Sequence, residues 1–109
     1  MKRVFSIREL EILNILWGTD EPLLASDIYR MGVDIPMITV QTSIKNFVRD
    51  GLVEEVGVKR SGTVLGKTYR PTGKSKEVVL QDYMERVHAI DNVLAAALSS
   101  TEVEVWSVG

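Results

Sequence analysis

The chain has 109 residues, 45% of them apolar, which is room for one small domain plus an appendage and gives no indication of disorder. It contains no cysteine, so a disulfide framework and a thiolate metal site are excluded, and with His88 as its one histidine it cannot build a multi-histidine zinc site. The net charge of −2 is unevenly spread: residues 1–38 sum to −2, residues 39–76 to +5 and residues 77–109 to −5. Phosphate binding depends on such a local basic footprint rather than on whole-chain charge.

The predicted elements begin at Ser6, which with Glu9 forms a capping-box pattern. A helix is expected from Ile7 to Trp17, with Leu10, Leu13, Leu16 and Trp17 turned inward and Gly18 as its C-cap. Pro22 marks a connection. A second short helix is expected from Ala25 to Met31, anchored by Ile28 and Tyr29 and ended by Gly32. Pro36 disfavours helix at Ile35, and Thr39 is the expected N-cap of a third helix that Gly51 stops.

That third helix has two unlike faces. Val40, Ile44, Phe47 and Val48 share an apolar stripe, while Gln41, Thr42, Lys45, Asn46 and Arg49 face the other way. The second set can hydrogen-bond base edges and pair with phosphates, although most polar helix faces are merely solvated. Thr42 and Gln41 lie in the first turns. Thr42 offers a hydroxyl or a methyl, and Gln41 suits a bidentate pair with adenine. Lys45 and Arg49 lie further along, where phosphate and guanine are equally suitable partners.

After Gly51 the pattern shifts to a valine-rich strand from Leu52 to Val58, a turn region from Lys59 to Gly66, and a returning strand from Lys67 to Arg70 that Pro71 ends. The cations Lys59, Arg60, Lys67 and Arg70 suit phosphate contact, or protection of an edge strand by charge. A last helix is expected from Ser75 to Leu98. Leu80, Tyr83, Val87, Ile90, Leu94 and Ala97 form an a/d seam of about two and a half heptads, with Met84 at its flank and Leu98 at its end. The seam suits a second helix of another copy; the plainer alternative folds it back on its own domain. Leu13 and Trp17 are expected to be plain core, His88 exposed or at an interface, and Tyr83 a packing residue. The tail 101–109 alternates around Trp106 and reads as either a short edge strand or disorder.

Three short helices and a basic hairpin make the layout of a winged helix-turn-helix, mainly α with a small β-hairpin. The residues also resemble the penicillinase-repressor (BlaI/MecI/CopY-like) family. Phe5-Ser-Ile-Arg-Glu-Leu-Glu-Ile-Leu-Asn-Ile-Leu-Trp17 resembles its first helix, and Pro22-Leu-Leu-Ala-Ser-Asp-Ile28 its entry into the second. Thr39-Val-Gln-Thr with Phe47 and Gly51 is similar to its recognition helix, and Gly66-Lys-Thr-Tyr-Arg-Pro71 to its second wing strand. The resemblance covers about residues 5–71 and implies a homodimeric repressor whose third helix enters the major groove. The wing would touch the flanking backbone, and a C-terminal helix would dimerise over a pseudo-palindromic operator.

Three departures qualify it. Asn46 stands where many members carry arginine. The cysteine cluster of the copper-responsive branch is absent. The Asn-Phe bond at which the penicillin-responsive branch is cut occurs here as Asn46-Phe47, inside the third helix rather than in the C-terminal part. Neither release mechanism carries over.

The expected organisation is therefore a DNA-binding domain over 1–73 and a dimerisation helix and tail over 74–109. The DNA-binding residues are expected to be Thr39, Gln41, Thr42, Lys45, Asn46, Arg49, Lys59, Arg60 and Lys67. The dimer interface is expected at Leu80, Tyr83, Met84, Val87, Ile90, Leu94 and Leu98. The expected partners are double-stranded DNA and a second copy. No cofactor or metal is expected, and no residue pattern identifies a small-molecule effector. No glycine-rich phosphate loop, carboxylate cluster or nucleophile–base pair suggests an enzyme. No apolar run approaches the ~20 residues of a membrane span, and no apolar stretch follows Lys2 and Arg3, so the expected location is the cytoplasm, at the nucleoid. Two other readings remain: a winged-helix module that binds protein, and a ligand-gated regulator with a pocket against the last helix. Charge placement discriminates the first of them. Lys45, Arg49, Lys59 and Arg60 on one face favour DNA; scatter favours protein.

Overall fold

The structure, a computed structural model, describes residues 4–100. Helix α1 (Ile7–Trp17) opens on the expected capping box. The Glu9 N–H donates to Ser6 Oγ at 3.1 Å and the Ser6 N–H to Glu9 Oε1 at 2.9 Å, so two otherwise unpaired donors are satisfied reciprocally. Ile12, Leu13 and Leu16 are buried on its inner face, and the Gly18 N–H closes its end on the Asn14 and Ile15 carbonyls.

Strand β1 (Leu23–Leu24) leads directly into α2 (Ala25–Met31). Asp27 Oδ2 accepts the Leu24 N–H at 3.0 Å, which ties the entry of α2 to its own first turn. Ile28 is fully buried as expected. Tyr29 is not an anchor: it is 47% exposed. One residue on from Ile28 is about 100° around a helix, and α2 is too short to bury more than one flank. The inward position beside Ile28 goes to Asp27, whose carboxylate is held by the Leu24 N–H and by Arg30.

Helix α3 (Met37–Arg49) starts two residues before Thr39. Pro36 is the N-cap, and its carbonyl accepts the Thr39 N–H at 3.0 Å and the Val40 N–H at 3.1 Å. Thr39 is therefore inside the first turn rather than capping it. Proline suits this place because its fixed φ leads into the helix and it has no N–H to leave unpaired. Val40, Ser43, Ile44 and Phe47 are buried, and Val48 lies at the edge of the stripe.

The end of α3 sets the direction of everything after it. The Leu52 N–H donates to the Phe47 carbonyl at 2.9 Å and the Gly51 N–H to the Val48 carbonyl at 3.2 Å. These are the two bonds of a Schellman motif, with Gly51 left-handed at φ +76° and the apolar Phe47 and Leu52 both in the core.

Strands β2 (Val53–Ser61) and β3 (Val64–Pro71) form a hairpin longer than the sequence suggested. The turn is only Gly62-Thr63. Gly62 alone of the two has a positive φ, +64°, the pattern of a type II′ turn, which matches the twist of its flanking strands. Lys59 and Arg60 thus lie within β2, not in a loop. β1 adds a third antiparallel strand, Leu23 opposite Tyr69 and Leu24 opposite Thr68, giving the order β1-β3-β2.

Helix α4 (Gly73–Ser100) is two residues longer at each end than expected. The tail 101–109 lies outside the described residues. The core cluster joins Phe5, Ile12, Leu13, Leu16, Leu23, Ile28, Ile35, Val40, Ile44, Phe47, Leu52 and Val53. Phe5 and Phe47 meet at its centre, with ring centroids 6.4 Å apart.

Gly51→Ala is expected to lower stability by about 1–2 kcal/mol, because the added Cβ is forced into a left-handed conformation. A denaturant titration checks it. Nothing packs closely around that Cβ, so an unchanged midpoint would mean the strain is absent.

Candidate nucleic-acid interface

The apolar stripe of α3 is fixed in the core, so its other face is fixed toward solvent. Gln41, Thr42, Lys45 and Arg49 are exposed, Thr39 and Asn46 half-buried. Thr42, Lys45 and Arg49 follow one another at intervals of three and four and share one side of the helix. Ile38 precedes Thr42 by four and lies on the same side, 69% exposed. Placing the start of the helix at Thr39 hides Ile38 from sequence reading. Two residues of extra helix bring it onto the outward face.

The wing register decides which of its cations look toward α3. Residues paired across neighbouring strands point to the same face of the sheet. Arg60 opposite Leu65, Val58 opposite Lys67 and Glu55 opposite Tyr69 make one face; Lys59 opposite Gly66, Gly57 opposite Thr68 and Glu54 opposite Arg70 make the other. A bulge at Val56 keeps the first set in phase. Glu55, Lys67 and Tyr69 border a cleft of about 330 Å³ whose other wall is Gln41, Ile44, Lys45 and Val48 of α3, with Ala25 at its end. Lys59 lies on the far face, 3.8 Å from Asp27 of α2. Arg49, at the end of α3, borders a separate groove of about 890 Å³ against α4. The four cations that were to discriminate the readings therefore divide: Lys45 and Arg60 go with Lys67 on the α3 side of the wing, while Lys59 turns away and Arg49 sits at the α4 end.

Carboxylates accompany most of these cations. Lys67 is 3.5 Å from Glu55, Arg70 2.8 Å from Glu54, and Arg49 3.1 Å from Asp50. All these pairs are exposed, and each contributes little to stability. Lys45 and Arg60 make no ion pair among the described residues. Nor, among the described residues, do three His, Cys, Asp or Glu side chains converge as a metal ion requires.

Helix α4 is seated at its base by polar contacts. Trp17 Nε1 donates to Ser75 Oγ at 3.0 Å, and that fully buried hydroxyl donates to the Thr72 carbonyl at 2.7 Å. Trp17 is thus a half-buried joint with α4 rather than plain core, with the Lys76 ammonium 5.9 Å from its ring. Two turns later the buried Asp82 accepts the Phe5 N–H at 3.4 Å and pairs with Arg86 at 2.9 Å, and Arg86 donates to the Phe5 carbonyl. Beyond Val87 the helix leaves the domain. Every residue from His88 to Ser99 is exposed, and the molecule reaches 66 Å in its long dimension. Leu80, Tyr83, Met84, Ile90, Leu94 and Leu98 of the predicted seam are exposed, and Val87 is half-buried. Val93, outside the predicted set, is 69% exposed beside them.

No family model matches the chain, and no curated protein is similar to it, so the penicillinase-repressor resemblance rests on the quoted motifs. Solved structures do match. A possible transcriptional regulator from Methanosarcina mazei superposes with a TM-score of 0.56 at 14% identity, covering 90% of this chain and 80% of that one. A PadR family transcriptional regulator from Eggerthella lenta gives 0.55 at 20%, covering 84% and 83%. The zinc-responsive MarR family member ZitR from Lactococcus lactis gives 0.55 at 15%, covering 99% and 71%. The fold is a winged helix followed by a long C-terminal helix, the architecture these regulators have. Among the described residues no helix is long and apolar enough to cross a membrane.

Trp17→Phe keeps an aromatic ring but removes the indole donor from a buried hydroxyl. It is expected to cost about 1–2 kcal/mol and to speed hydrogen exchange in the first two turns of α4. Exchange unchanged from the parent protein would show that this bond does not seat the helix.

Proposed function

We propose that the protein is a DNA-binding transcriptional regulator, a homodimeric repressor that occupies a pseudo-palindromic operator and does no chemistry. The observation that carries this reading is the α3 face. Beyond Ile38 in its first turn it is polar and solvent-exposed, it is held by a buried stripe, and it is flanked by a wing whose register turns Arg60 and Lys67 to the same side. Side chains of α3, with Gln41 and Thr42 foremost, address base edges in the major groove. Thr39, Lys45 and Asn46 lie beside them. Arg60 and Lys67 reach the flanking phosphates, Arg49 serves the end of the helix, and Lys59 contributes least because it faces α2.

A second copy supplies the dimer through α4. A projecting helix with a heptad seam is self-complementary, and an isologous pairing buries the same side chains of both copies. On this reading residues 1–73 form the reader and 74–109 the dimerisation segment. The cytoplasm, where the nucleoid lies, is the fitting compartment. The division of the four cations gives some support to a second reading, a winged-helix module that binds protein. The exposed Val58, Val64 and Leu65 on the wing would then be contact residues.

Selection from a pool of random duplex DNA at about 150 mM salt decides between them. A two-fold symmetric motif is expected; no enrichment would favour the protein-binding module. Within the DNA reading, Lys45→Ala and Arg60→Ala should each reduce the salt dependence of binding by about one unit per lost phosphate contact, hence about two for a dimer carrying the change in both copies. Lys59→Ala should reduce it less, and an equal effect would place Lys59 at the DNA after all. Leu94→Asp lies far from the domain core and should shift sedimentation from dimer to monomer with the domain still folded. A variant that stays dimeric would remove α4 as the interface.

A further inference from the structure

Ile38 is a large apolar side chain where the proposed reading needs an explanation for it. It is the second residue of α3, it is 69% exposed, and it heads the outward stripe that continues through Thr42, Lys45 and Arg49. The core does not account for it, because its neighbours Met37 and Val40 take the inward positions. The α2–α3 connection does not cover it either.

In helix-turn-helix docking the first turn of the reading helix comes nearest the base edges. Among the groups the four base pairs display in the major groove, the one apolar group is the thymine C5-methyl. A branched aliphatic side chain makes no hydrogen bond, so it has nothing to offer an adenine, guanine or cytosine edge. Against a thymine methyl it removes apolar surface from water on both sides. We propose that Ile38 reads a thymine in each half-site by contact with its C5-methyl. The proposal rests on the DNA-reading function above and names a specificity residue for it. Thr42, one turn further along the same stripe, is left to hydrogen-bond the neighbouring base pair.

The test uses the full chain and the operator obtained by selection. Each thymine is replaced in turn by deoxyuridine, which differs only by the missing methyl. Wild-type protein is expected to lose about fourfold in affinity at one thymine per half-site, the factor one buried methyl contributes. Ile38→Ala is expected to bind the thymine operator more weakly and to be indifferent to deoxyuridine at that position. Its salt slope should be unchanged, because no charge is lost. Since Ile38 is exposed, the variant should keep the parent unfolding midpoint. Equal affinity of the wild type for thymine and deoxyuridine at every position overturns the proposal and leaves the DNA-reading function standing. So does an Ile38→Ala variant that retains the full deoxyuridine penalty, which would assign the methyl contact to Thr42. Failure to select any motif overturns the function and the proposal together.

Discussion

Phe47 is the point on which the geometry of the molecule turns. Its ring fills the middle of the core against Phe5, and its carbonyl accepts the Leu52 N–H that closes α3. The first contact holds α3 by its inner face, so that Gln41, Thr42 and Lys45 have one orientation rather than many. The second fixes where the chain leaves the helix, and so where β2 begins and which way the wing projects. Phe5 in turn is gripped through its backbone by Asp82 and Arg86 of α4. One aromatic contact therefore links the candidate reading helix, the wing and the base of the long helix. A side chain presented to a ligand is useful only if its supports are rigid, and here those supports are shared.

Much of this was legible in the residues, and the parts that were not have identifiable causes. The helices showed in their periodicity and caps: Ser6 with Glu9, Gly32, and Gly51, where a left-handed residue is needed and only glycine adopts it freely. Thr39 is a good capping residue and Pro36 a less obvious one, so the residues alone start α3 too late and leave Ile38 out of view. The sequence shows only a short wing because Val56 breaks the alternation with a bulge and Lys59-Arg60 look like turn residues, although both are ordinary at an exposed strand end. β1 could not be seen at all. Two leucines carry no period, and their partners Thr68 and Tyr69 are more than forty residues away. Trp17 looked like core because composition favours it; its indole hydrogen bond depends on Ser75, which no local pattern connects to it.

The electrostatics of the candidate interface are restrained. The net charge of −2 hides a concentration of cations between residues 39 and 76, the distribution that the proposed DNA contact requires. Yet Lys67, Arg70 and Arg49 each sit beside a carboxylate of their own, and Lys59 beside Asp27. Such pairs add little to folding. Their larger effect is on association, because a phosphate approaching Lys67 also meets Glu55. The indiscriminate attraction that comes from bare cations is thereby reduced, and more of the discrimination falls to groups that touch bases. On the proposed DNA-reading function, that balance gives weight to uncharged side chains on the outward face of α3.

Helix α4 divides the same problem in two along its length. Its first half is tied to the domain by Ser75, Asp82 and Arg86, polar contacts whose geometry is directional. From His88 to Ser99 every side chain is exposed, the apolar ones recurring at three and four. Directional bonds fix an angle where apolar burial alone permits sliding, because dispersion and water exclusion depend weakly on orientation. If two copies pair along the outer half, the distance between their reading helices is set by the inner half. Two sites on one face of B-DNA are about 34 Å apart, and a helix of 28 residues is about 42 Å long, so the two lengths are commensurate. The Phe5 backbone, held between Asp82 and Arg86 and packed on Phe47, is then the element through which the angle of α4 and the position of α3 are made to agree.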